Sequence, residues 1–169
     1  MFPDKYVKDI ESSVKRNKSL KRIGIYLSFL TSLILIGPAL HEAGHIIVLK
    51  AIGCSYFMNF GFSVFHGVYA SIEPLCNPGT ATLLVFYSTG YLLTLISGTT
   101  MILLGNEDRK YLTAAGTGFL LSVILTITIE GDVHSAAVLL GETYFEPLVT
   151  ALIVLGVFVT SLRGLEKIV

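Results

Sequence analysis

Residues 23–52 read IGIYLSFLTSLILIGPALHEAGHIIVLKAI, and Glu42 and Lys50 are the only acidic or basic residues among them, histidine aside. A helix needs about 20 apolar residues to cross the hydrocarbon core of a bilayer. Only 14 positions lie between Ile23 and Gly37, too few for a span by themselves. The whole run is therefore expected as one long membrane helix, kinked near Pro38, whose ring nitrogen cannot donate to the helical ladder. The segment His41-Glu42-Ala43-Gly44-His45 then falls in the distal half of that helix.

The remainder of the chain fits the same class. Of its 169 residues, 53% are hydrophobic and 14% charged, too little charge to cover the surface of a soluble domain. Further apolar runs at 80–104, 111–129 and 148–162 supply three more spans. Between the first and second, residues 57–65 and 68–72 are rich in aromatic and β-branched side chains around a plausible turn at His66-Gly67. That pattern predicts a β-hairpin, ended by Pro74 and the turn Asn77-Pro78-Gly79. The expected fold is an all-α polytopic membrane protein of about four transmembrane helices, with a short β-hairpin between the first and second. Residues 1–22 form a basic lead-in and residues 23–169 the membrane domain.

Charge placement orients the spans. Seven of the twelve basic residues stand in the first 22 positions: Lys5, Lys8, Lys15, Arg16, Lys18, Lys21 and Arg22. No apolar core or small-residue cleavage site marks this stretch as a signal peptide. It reads either as an amphipathic segment at the membrane surface or as a solvated tail. Threading four spans with the amino terminus in the cytoplasm puts these seven, together with Arg109, Lys110, Arg163 and Lys167, on the cytoplasmic side. Segments 53–79 and 130–147, on the other side, contain no Lys or Arg, and only Lys50 is misplaced. A multi-pass protein, in the cell membrane and with both termini cytoplasmic, is the expectation. No second basic patch exists to bind nucleic acid.

The chemistry centres on the HEAGH segment. Residues four apart on a helix share a face, so His41 and His45 can bind one Zn²⁺ through ring nitrogens. Glu42, rotated about 100° from His41, can take a proton from a water on that metal. The competing interpretation is a helix end with interfacial histidines that bind nothing. Ionisable groups inside a membrane helix are costly and tend to be functional, which favours the metal.

Catalytic zinc takes a third protein ligand and leaves one position open. The threading runs the first and third spans in the same direction, which sets HEAGH level with Glu130-Gly131-Asp132-Val133-His134. Asp132 is the first choice, because Gly131 lets the backbone bend there. The alternative for Asp132 is an N-cap of a following helix. Glu130 and His134 are the alternative ligands; on a helix Asp132 and His134 point in nearly opposite directions, so His134 suits a supporting or interfacial role better than ligation. Cys54 and Cys76 flank the hairpin and form either a disulfide or two buried thiols.

The order of these elements resembles the site-2 protease family of intramembrane metalloproteases. The matching features are an apolar helix ending in HEAGH, a β-type segment, a second helix containing Gly90 and a third bringing an Asp. The resemblance covers about residues 23–140. It implies His41, His45 and Asp132 as zinc ligands and Glu42 as catalytic base. It also implies a membrane-protein or peptide substrate presented to strands 57–72. Where the family has an Asp-Gly pair on the third helix, this chain has Gly131-Asp132. Two alternatives stand beside hydrolysis with this ligand set. One is a non-proteolytic metal-binding membrane protein of the same fold, regulatory or transporting. The other is a membrane protease with Glu130 as third ligand, as in prenyl-protein processing.

Overall fold

A computed structural model describes residues 4–63, 67–142 and 146–168. Four helices are long and apolar enough to cross a membrane, and a two-stranded sheet lies between the first and second of them, which is the fold class expected from sequence. The first candidate span, Asn17–Ala51, holds 35 residues. At 1.5 Å per residue it is about 52 Å long against a core of about 30 Å, so it crosses at a tilt or projects beyond the core. It is built from α1 (Asp4–Thr31), a π-helical turn at Ser32–Ile36 and α2 (Gly37–Ala51). The basic lead-in from Asp4 onward is thus a helical extension of the first span.

The expectation of a kink near Pro38 takes a specific form. Proline has no N–H, and its ring crowds the carbonyl four residues back. The turn just before it widens, and the Gly37 N–H donates to the Ser32 carbonyl, five residues earlier. The helix continues through the proline as a π-bulge. Gly37 sits so close to Ser122 that a side chain there would collide with it.

After the hairpin come α3 (Thr80–Leu104), a 3₁₀ turn (Glu107–Arg109), α4 (Lys110–Glu130), α5 (Asp132–Leu140) and α6 (Glu146–Ile168). The last helix exceeds the expected 148–162 at both ends. Helix α4 is the central element, packed against α1, α3 and α6. Its inward face carries Thr117, Phe119, Leu120, Ser122, Val123 and Thr126, all buried. The hydroxyls of Thr117, Ser122 and Thr126 donate to carbonyls of their own helix at 2.9, 2.7 and 3.0 Å, so they sit in the apolar interior without an unmet donor. Small residues let α3 and α4 touch backbone to backbone: a Cβ on Gly116 would lie 2.6 Å from the Gly98 carbonyl oxygen. Large apolar side chains point outward along the spans, among them Leu35, Ile96, Leu103 and Leu152, each at least 60% exposed. A bilayer is the solvent that suits such faces.

Strands β1 (Tyr56–Ser63) and β2 (Gly67–Pro74) pair antiparallel, from Tyr56 opposite Pro74 to Ser63 opposite Gly67. The expected turn residue His66 lies outside the described residues, and Gly67 belongs to β2. A Cys54–Cys76 disulfide, with Cα atoms 5.7 Å apart, closes the base of the hairpin; of the two states open from sequence, the thiols are paired. Cys54 and Ile72 pack with Val48 and Leu49 of α2 and Phe86 of α3 in one buried cluster, joined by Tyr56 and Met58. The hairpin is thereby seated on the ends of the two helices that flank His45.

Candidate metal centre

The site begins with helix periodicity. His41 and His45, one turn apart on α2, both face inward, with 0% and 3% of their surface exposed. Two glycines make room for them. A Cβ on Gly90 of α3 would lie 2.7 Å from the His41 ring, and one on Gly44 would lie 2.8 Å from the Gly90 backbone. Gly44 within HEAGH is therefore the residue that brings α3 against α2, and Gly90 leaves the space that the His41 imidazole fills.

The third side chain arrives from the far end of α4. Gly131 adopts φ +67°, the left-handed conformation that suits glycine, and ends that helix. Asp132 is the first residue of α5 and is buried. It makes no side-chain cap; Gly131 holds the N-cap position and the Asp132 carboxylate turns to the histidines instead. Its Oδ2 lies 3.0 Å from Nε2 of His41 and 3.0 Å from Nε2 of His45, while the two Nε2 atoms are 3.1 Å apart. One oxygen and two nitrogens thus form a nearly equilateral triangle. Burial pushes the Asp132 carboxyl up, but hydrogen bonds from His41 and His45 and their charge outweigh it and hold the group below the usual carboxylate range. It stands ready as an anion, the form a metal ligand requires.

The histidines are themselves held. His45 donates from Nδ1 to the Phe86 carbonyl at 2.8 Å, which fixes the ring and aims Nε2 into the triangle. The His45 ring also lies over the Phe86 ring, centroids 4.4 Å apart, and Tyr91 packs edge-on against His41 at 4.5 Å. None of these α3 contacts was read from sequence. A backbone carbonyl carries no side-chain signature, and Gly90 was noted only as a loose family match.

Glu42 is buried, 6% exposed, beside the pair. Donor atoms of His41, Glu42 and His45 lie within 4.8 Å of one another, and this buried group could hold a metal ion. Of the other candidates in the Glu130–His134 stretch, His134 makes a different contact. It is exposed and its Nδ1 pairs with Glu146 Oε2 at 2.8 Å. The Glu130 side chain lies outside the described residues. No family model matches the chain, and no curated protein or solved structure is significantly similar to it.

Proposed function

We propose that the chain is an intramembrane zinc metalloprotease of the site-2 protease type, which hydrolyses peptide bonds of membrane-embedded substrates. The observation that carries this reading is the meeting of His41 Nε2, His45 Nε2 and Asp132 Oδ2 within 3.0–3.1 Å of one another, with Glu42 buried alongside. Zinc bonds of about 2.0–2.1 Å in a tetrahedral array set donors about 3.3 Å apart, so a small relaxation of this triangle accepts the ion. Two imidazoles and one carboxylate are also the donor set of catalytic zinc, which keeps a fourth position for water or substrate. A purely structural site would have four protein ligands.

Zinc bound there supplies a Lewis acid that acidifies a water and polarises the scissile carbonyl. The chain's own groups do the rest. Glu42 accepts the proton from that water and delivers it to the leaving amine. Asp132 balances charge, and the Phe86 carbonyl keeps His45 in the one tautomer that can ligate. A substrate helix must unwind locally before its carbonyls can be attacked, because they are engaged in its own hydrogen bonds. The β-hairpin, seated beside His45, offers a strand edge to the unwound segment. The lysine and arginine distribution and the Cys54–Cys76 disulfide both favour an oxidising, non-cytoplasmic side for the hairpin and cytoplasmic termini.

The test measures zinc content and cleavage of a membrane-peptide reporter in wild type, Glu42→Gln and Asp132→Ala. Glu42→Gln is expected to keep zinc and lose cleavage; Asp132→Ala is expected to lose both. Full cleavage by Glu42→Gln would sink the hydrolytic reading and leave a metal-binding membrane protein in its place.

A further inference from the structure

Helix α6 packs on α4 and leaves a gap against α3 and α5. The gap is a cavity of about 560 Å³, walled by apolar side chains that include Tyr91, Leu95, Ala136, Leu140 and Ile153. Among the described residues, polar groups border it at Ser88, Asp132, Glu142 and Glu146 and at the hydroxyl-bearing Tyr87 and Tyr91. Two of its wall residues belong to the metal centre: Asp132 supplies the triangle's oxygen, and Tyr91 lies against the His41 ring. The cavity is partly open, and Leu92 and Leu140 on its wall are more than half exposed.

We infer that this cavity is the specificity pocket of the centre, which receives a large apolar side chain adjoining the scissile bond of the substrate. The inference rests on the hydrolytic function proposed above and names the substrate it selects. The cavity reaches Asp132 at one wall, so a side chain carried by the reacting chain can enter it from the centre. Most of the wall is apolar and its charged groups, Asp132, Glu142 and Glu146, are all acidic, so an acidic side chain buried against it would be penalised. The volume falls within the range of about 300–1,000 Å³ typical of ligand clefts, ample for a Phe or Leu side chain. Ala136 contributes only a methyl to the wall, so its replacement by a larger residue reduces the pocket without touching a zinc donor.

The experiment uses the full chain, zinc-loaded in detergent, and two peptidyl hydroxamates that differ only in a benzyl or a methyl side chain beside the zinc-binding group. Affinity is measured by competition, with zinc content as the check on folding. Wild type is expected to bind the benzyl compound at least about tenfold more tightly. Ala136→Phe should erase that preference while zinc content and methyl-compound affinity persist, and Ile153→Phe should do the same from the α6 side. Leu155→Phe, on the exposed face of α6, should leave the preference intact. Equal affinities in wild type, or a preference that survives both filling variants, overturns the pocket. So does release of a co-purified lipid by the filling variants with hydroxamate binding unchanged, which would assign the cavity to an acyl chain. Reporter cleavage is scored separately. Side-chain-selective binding without cleavage supports the pocket and overturns the hydrolytic reading, and cleavage without selectivity does the reverse.

Discussion

His45 divides its two ring nitrogens between two elements: Nδ1 donates to the Phe86 carbonyl of α3 at 2.8 Å, and Nε2 faces His41 and Asp132 at 3.1 and 3.0 Å. The first bond decides what the second nitrogen can do. A carbonyl only accepts, so Nδ1 carries a proton and Nε2 is the nitrogen left to meet Asp132 or, once its own proton is lost, a metal ion. Nitrogen NMR of the histidine-labelled protein should therefore show a protected Nδ1–H on His45, before and after zinc is added. Loss of the Nδ1 proton, or a Nε2 that stays protonated once zinc is bound, would contradict the arrangement.

Phe86 reaches the centre through its ring as well. It is buried in the cluster with Val48, Leu49, Cys54 and Ile72 and lies under the His45 ring. Phe86→Ala leaves a cavity and is expected to cost about 3–5 kcal/mol of stability. Because the carbonyl shifts with the backbone around it, zinc affinity should also fall, by about 10- to 100-fold. Denaturant titration in mild detergent and chelator competition measure the two effects.

Gly90 and Gly44 give a sharper contrast. A Cβ on Gly90 would meet the His41 ring at 2.7 Å, and the obstacle is a ring clamped between α2 and α3. Gly90→Ala and Gly44→Ala should each abolish zinc binding while helix content stays close to wild type. Gly156 of α6 has nothing within 4 Å of a built Cβ, so Gly156→Ala should keep zinc and gain a few tenths to about 1 kcal/mol of helix stability. Zinc content and circular dichroism of the three variants separate these outcomes.

Much of this architecture was legible in the sequence because the signals are local. Length and hydropathy set the spans, and a four-residue spacing on one helix put His41 and His45 on a common face. What stayed open or went unread depends on contacts between distant segments. Glu130, Asp132 and His134 lie within five positions of one another. Only the left-handed turn at Gly131 decides that Asp132 points at the histidines while His134 turns to Glu146. The same holds for the Phe86 carbonyl and for the space at Gly90, which exist only once α2 and α3 are packed. The thiol state was open for a related reason: Cys54 and Cys76 are 22 residues apart, and it is the hairpin register that brings them to bonding distance.

The separation of Asp132 from His134 makes its own prediction. His134 pairs with Glu146 at an exposed position, where such a bond contributes at most about 1 kcal/mol. His134→Ala should thus keep full zinc occupancy and change thermal stability little, in contrast to Asp132→Ala. Loss of zinc in His134→Ala would move the third ligand along α5 and displace Asp132 from the centre.

The disulfide links sidedness to stability in one measurement. Among the described residues no cysteine is free, so an alkylating reagent should add nothing to the intact protein and two groups after reduction. Closing a loop of this length constrains the unfolded chain by about 3 kcal/mol, so Cys54→Ala combined with Cys76→Ala should lower stability by about that amount. The hairpin sits on Val48, Leu49 and Phe86, and loosening its base loosens the support beneath His45; zinc affinity is expected to fall with it. The same two thiols report orientation. A membrane-impermeant maleimide added to intact cells after mild reduction should label Cys54 and Cys76, while a tag at the amino terminus should become accessible only after permeabilisation. Labelling that requires permeabilisation would invert the topology, place the hairpin in the reducing compartment, and remove the reason for the sulfurs to remain paired.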